Sequence, residues 1–254
     1  MTSTLIRLLI IALALCANAG VVSAQTSNSL PPDTVVILAP LHGLHEREPA
    51  FSYDDLRGIL DAADPDVLLV ETRPDELSGF TETPGRPEYP AIIWPWLEQR
   101  TILVEAMEPG GEIFAAMTEA ASARYTRFST EQPAASARTD ALQRSLTQAL
   151  LRHWRHPADV HDALTRDLMQ AAVLSERALG GPGDDEGQAA WDGYMIARAR
   201  EVIARNPGRR IVILASYRNL RAFREGLAGE RRLIDAEPWL RTLPFPDMEG
   251  RNRD

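Results

Sequence analysis

The chain has 254 residues, 44% hydrophobic and 25% charged, an ordinary globular balance and enough length to bury a sizeable core. A net charge of −9 argues against a nucleic-acid binder. The single cysteine, Cys16, excludes an intrachain disulfide framework, and all 27 basic residues are arginine.

The N-terminus has the pattern of a secretory signal peptide over residues 1–24. One arginine, Arg7, precedes a nearly uninterrupted apolar run, and Val22-Ser23-Ala24 supplies small residues for cleavage. The run is shorter than the ~20 residues a membrane span needs. The expectation is export, most directly to a bacterial periplasm, with no membrane span left after cleavage. A lipoprotein anchored at Cys16 ranks second, because Leu15 before it is bulky. Cleavage after Ala24 removes the only thiol.

Residues 25–33 read as a polar linker ending in proline. Thr34 to Ala39 is one buried strand, and Pro40 breaks it into a loop carrying His42, His45 and Glu46. Ser52 and Asp55 have the spacing of a capping box, which opens a helix with Leu56, Ile59 and Leu60 on one face. Asp66 to Val70 is a second strand and delivers Glu71 and Arg73. Strand, helix and strand in about forty residues match a βαβ unit.

Pro84, Gly85, Pro87 and Pro90 make residues 75–90 a loop. A short helix is expected over 91–100, and Thr101 to Ala106 is a third strand leading to Glu108. From about 112 to 206 the pattern turns helical. Val160, Leu164, Leu168 and Ala171 form one stripe, and Trp191, Met195, Ala199 and Val202 another. Residues 209–215 are a fourth strand, followed by Tyr217, Arg218, Asn219 and a helix to about 229. The polar residues 236–254 are expected to be an irregular tail. The fold class expected is α/β, a mostly parallel sheet in one domain over 34–235, with a long helical insertion between the third and fourth strands.

In open parallel sheets, ligands bind beyond the carboxyl ends of the strands. That rim would gather His42, His45, Glu71, Glu105 or Glu108, and Arg218. Imidazole and carboxylate together suit a divalent metal that acidifies a water, or Glu71 can act directly as a general base. The plain alternatives stand beside these readings. His42-x-x-His45 is a loop pair rather than the helical pair of zinc proteases, and Glu71 with Arg73 is equally a rim salt bridge. Arg152, His153, Arg155 and His156 around Trp154 read as a solvated helix end, and His161 as similarly weak. No G-x-S-x-G, Walker loop or G-x-G-x-x-G occurs.

The order of short motifs resembles the TraB/GumN/Tiki, ChaN and erythromycin-esterase-like group. Ala39-Pro40-Leu41-His42 is similar to its Gly-Thr-x-His, and Val70-Glu71 to its second-strand glutamate. Trp191-Asp192-Gly193-Tyr194-Met195 stands where the group has Arg-Asn-x-x-Met, and Ala215-Ser216-Tyr217-Arg218 where it has Gly-x-x-His. The resemblance implies an α/β core with a helical insertion and a metal-dependent hydrolase of peptide or ester bonds. It places His42, Glu71 and Arg218 in the catalytic centre; the candidate metal ligands are His42, His45, Glu71 and Asp192. Ala39 departs from the motif's first glycine, Trp191-Asp192 from its Arg-Asn pair, and Arg218 from its last histidine. A charged arginine does not ligate metal. Either His45 or Asp192 compensates, or the chemistry is lost and the fold binds a small-molecule or peptide ligand without turnover. Arg218 could then hold an anion or pair with Glu71. Haem or iron handling follows from ChaN alone.

Overall fold

The computed structural model describes residues 29–80, 83–180 and 182–245. The signal peptide expected over 1–24, the first residues of the linker and residues 246–254 of the expected tail lie outside the described residues.

Five strands form one all-parallel sheet: β1 (Val35–Leu38), β2 (Val67–Val70), β3 (Leu103–Ala106), β4 (Ile211–Leu214) and β5 (Leu233–Ile234). Their order across the sheet is β3-β2-β4-β1-β5. Every residue of β1, β2 and β4 is buried, as expected of parallel strands covered on both faces. This explains why they read as unbroken apolar runs rather than alternating ones. β4 enters between β1 and β2, with Ile211 in register with both Val35 and Val67. The first strand–helix–strand unit is therefore split by a strand that arrives some 140 residues later in the chain.

The helix α1 (Tyr53–Ala63) starts at a complete capping box. Ser52 Oγ accepts from the Asp55 amide at 3.2 Å, and the Asp55 carboxylate accepts from the Ser52 amide at 2.8 Å. The segment read as loop folds further than expected. It contains α2 (Pro74–Gly79), a π-helical turn (Tyr89–Ile93) and α3 (Trp94–Leu97). Proline opens α2, where its missing amide costs no helical bond. Between β3 and β4 the chain runs through α4 (Gly111–Glu131), α5 (Pro133–His153), α6 (Ala163–Gly180) and α7 (Pro182–Arg205).

Three expectations need correction. The stripe from Val160 is out of phase: Leu164 is 46% exposed, while Thr165, Met169 and Ala172 are buried. Val160 lies in a 3-10 turn (Pro157–His161) with a different period, so it does not set the phase of α6. Trp154 and His156 do not sit on a solvated face. Trp154 is fully buried and donates from Nε1 to Thr165 Oγ1 at 2.9 Å, and His156 accepts from the Ala158 amide at 3.1 Å. Finally, the expected tail is not wholly irregular: α9 (Ala236–Leu240) buries Ala236 and Leu240. Just before it, β5 pairs with Val35 and Val36. α8 (Leu220–Gly226) precedes them and packs on β1. Among the described residues no helix is long and apolar enough to cross a membrane.

Candidate active site

Because all strands are parallel, the segments after β1, β2, β3 and β4 share one rim. Neutral imidazoles shape the first of them. Leaving β1, the Ala39 amide donates to His161 Nε2 at 3.0 Å, and the Leu41 amide donates to His45 Nε2 at 2.9 Å. His161 uses its Nδ1–H on the Pro157 carbonyl at 3.3 Å, and His45 uses its own on the Phe51 carbonyl at 2.7 Å. Each ring is thus one donor and one acceptor, the neutral form. Burial is the dominant influence on both and lowers their pKa, that of His161 to about 4.

His42 is the residue these braces present. It takes a left-handed φ of +53° at the start of a 3-10 turn (His42–Leu44). A non-glycine residue held there costs on the order of 1–2 kcal/mol. Its Nδ1 lies 2.7 Å from Glu88 Oε1, a carboxylate with 0% side-chain exposure, while His42 itself is 20% exposed. Nδ1 faces inward, and Nε2 has no hydrogen-bond partner among the described residues.

Glu71 ends β2 and is buried. Its Oε2 accepts from the Ser216 amide at 2.5 Å, and its Oε1 accepts from Asn219 Nδ2 at 3.4 Å and Arg86 Nη2 at 3.2 Å. It clamps the turn after β4 to the end of β2. Arg86 also holds Glu108, through Nη1 at 3.2 Å and through a closer contact from Nη2. Burial works against the Arg86 charge, but Glu71 and Glu108 outweigh it and hold the guanidinium firmly protonated. Burial pushes the Glu108 carboxyl up, with Arg86 opposing. Arg73 turns away from Glu71 and pairs with Asp75 at 2.9 Å and Glu76 at 3.1 Å. The rim salt bridge to Glu71 is Arg86, not Arg73. On its outer side Glu108 borders an open groove of about 410 Å3, together with Pro74, Leu77 and Tyr194.

The sequence-derived site residues separate accordingly. His42 and Glu71 share one rim, joined through the strap that carries Arg86 and Glu88. His45 is withdrawn into the fold with both ring nitrogens engaged. Arg218 is exposed, its amide donating to Ser216 Oγ at 3.3 Å. Asp192 is half-buried on α7. Glu105 on β3 is held by Arg198 of α7 at 2.5 Å. Among the described residues no group of three or more His, Cys, Asp or Glu is arranged to hold a metal ion. The expected set of His42, His45, Glu71 and Asp192 does not fit one, because both ring nitrogens of His45 are engaged by the protein and Glu71 is paired with the Arg86 guanidinium.

Arg86, Glu88 and Tyr89 are the residues that sequence reasoning missed. They lie in the proline-rich segment taken as loop. Two charged side chains beside an aromatic one, in a stretch long enough to cross the rim after β2, were the available signal. No family model, curated protein or solved structure matches the chain.

Proposed function

We propose that the protein is an exported hydrolase of ester or peptide bonds, in which His42 activates water. The observation that carries this reading is the His42–Glu88 pair, a strained and partly exposed imidazole fixed by a fully buried carboxylate. In the neutral ring, Nδ1–H donates to Glu88 and Nε2 offers its lone pair outward. A water attacking a carbonyl carbon passes its proton to Nε2, and Glu88 stabilises the imidazolium that results. Tetrahedral collapse then returns that proton to the leaving oxygen or nitrogen. Glu71 is a positioning residue here, holding Arg86 and the Ser216 turn. No step requires a metal. Membership of the TraB/GumN/Tiki, ChaN and erythromycin-esterase-like group and a periplasmic location belong to the same proposal, supported by the motif order and the leader pattern.

The test is a panel of chromogenic esters and peptide amides, assayed with wild type and His42→Ala, with and without chelator. A loss of about 10²–10⁴-fold on His42→Ala, unaffected by chelator, is expected. Equal rates in both proteins, or a chelator-sensitive rate, would remove the reading. A second reading is a non-catalytic binding protein: Glu71 is held by Arg86, Asn219 and the Ser216 amide and is not free to act as a general base, which leaves His42 as the one candidate base. Absence of turnover on the whole panel, with ligand binding retained, would favour it.

A further inference from the structure

β3 ends the sheet, so one of its edges pairs with β2 and the other with no strand among the described residues. The Leu103 amide donates to the Asp66 carbonyl at 3.2 Å, and the Met107 amide donates to the Val70 carbonyl at 2.9 Å. In a parallel ladder every second residue turns both of its backbone groups to the same neighbour. Leu103, Glu105 and Met107 therefore face β2, and Val104 and Ala106 turn their N–H and C=O groups outward. These outward groups have no hydrogen-bond partner among the described residues. Such an edge is a template for one more strand.

The open edge is the floor of the 410 Å3 groove that Glu108 borders. The walls of that groove come from different connections. The path from β2 to β3 and the path from β3 to β4 run in opposite directions across the sheet, so right-handed crossovers carry their helices to opposite faces. α2 brings Pro74 and Leu77 to one wall, and α7 brings Tyr194 and Glu201 to the other. α7 is fixed to the face of Glu105, whose carboxylate accepts from Arg198 at 2.5 Å. Paired strands lie about 4.8 Å apart. An edge recessed between two helices admits one extended chain at that spacing, whereas a second copy would bring its own flanking helices against these walls.

The lining selects among peptides. Side chains of an added strand alternate between the two walls. One set meets Pro74 and Leu77 and is best apolar. The other meets the Tyr194 ring, Glu105 and Glu201. Three carboxylates line the groove, Glu108 being the third, against one guanidinium, Arg198. Arg205 reaches Glu105 and Glu201 from outside, at 3.4 and 3.7 Å. The surplus favours basic over acidic side chains, and a guanidinium gains further by lying on the Tyr194 ring, which is 38% exposed.

We infer that this groove binds an extended peptide as an added strand beside β3, with apolar residues toward α2 alternating with basic ones toward α7. Such binding is independent of whether His42 hydrolyses anything.

Titration calorimetry on the intact protein with acetyl-Val-Arg-Val-Arg-Val-amide tests this. The same peptide with glutamate in place of arginine should bind at least about tenfold weaker. Two N-methylated forms separate strand pairing from simple apolar contact. The valine and arginine amides face opposite edges of an extended peptide, so only one set meets Val104 and Ala106. Methylating that set should weaken binding at least about tenfold, and methylating the other should change it little. On the protein, Val104→Pro deletes an outward N–H while leaving the β2 ladder intact, and should weaken binding about threefold to tenfold. Tyr194→Ala, at an exposed position, should weaken the arginine peptide and carries the test should the thermal melt show Val104→Pro unfolded. No peptide binding, as when a segment of the chain itself fills the groove, would overturn the inference. So would equal losses from both methylation patterns, equal affinity for the arginine and glutamate peptides, or an affinity unmoved in the folded variants. A dimer in sedimentation that Val104→Pro dissociates would assign the edge to a second copy and overturn it as well.

Discussion

Acid should loosen this protein through His161. The ring is fully buried and neutral, accepting from the Ala39 amide at 3.0 Å. A proton on Nε2 would set two donors against each other and place a charge in the core. Its pKa is accordingly lowered from 6.5 to about 4 by burial. The unfolded chain binds a proton near pH 6.5, and the folded chain resists until about pH 4. The group's contribution is therefore full above pH 6.5 and is lost as pH falls through this window. Between neutral pH and about pH 5 the loss is about 2 kcal/mol, rising to about 3 kcal/mol below the folded pKa. His45 is shifted in the same direction, again by burial first. Glu108 is shifted up, so its proton uptake works the opposite way and trims the effect. Urea unfolding at neutral pH and near pH 5 measures the difference, with His161→Gln as control. The substitution should lower stability at neutral pH by about 1–3 kcal/mol, for a lost buried hydrogen bond, and flatten the acid slope. Identical slopes in wild type and His161→Gln would refute the reasoning.

Further predictions follow from other parts of the fold. Arg86→Leu leaves Glu71 and Glu108 facing each other unpaired, and should cost about 3–5 kcal/mol in denaturant unfolding at neutral pH; a loss under about 1 kcal/mol would mean the bridge is solvent-screened. Met169→Ala should cost about 2–5 kcal/mol and Leu164→Ala under about 0.5 kcal/mol, since only Met169 lies on the buried face of α6. The reverse ranking would place the phase of that helix one residue earlier. Ser52→Ala removes half of the capping box of α1 and should cost about 1 kcal/mol by thermal melt.

The sheet was legible because its strands are. Val35–Leu38, Val67–Val70 and Ile211–Leu214 are wholly apolar, and each is followed within a few residues by a polar one on the rim: His42, Glu71 and Ser216. The capping box at Ser52 and the Met195, Ala199, Val202 face of α7 were legible for the same local reasons. What local pattern cannot carry is the order of strands. That β4 inserts between β1 and β2 depends on pairing across the whole chain. β5 was invisible because two residues carry no period. α6 was misphased because a 3-10 turn precedes it and has its own repeat.

The site was half legible. His42 and Glu71 are found from the ends of strands. Their partners Glu88 and Arg86 come from a segment whose prolines hide any periodicity, and the pairs exist only once the chain folds back over the rim. His45 and His161 show the converse. Histidines that look free in sequence are consumed by backbone groups of a tight loop, locally for His45 and across 122 residues for Ala39 and His161.

The central claim is that His42 and Glu88 act as one unit, and a double-mutant cycle on hydrolysis tests it most directly. kcat/KM is measured for wild type, His42→Ala, Glu88→Gln and the double variant on whichever ester or amide the panel selects, with folding checked by melt. The account predicts that the double variant is no slower than His42→Ala alone, because Glu88 acts only through the imidazole. Losses that multiply, or full activity in His42→Ala, would contradict it.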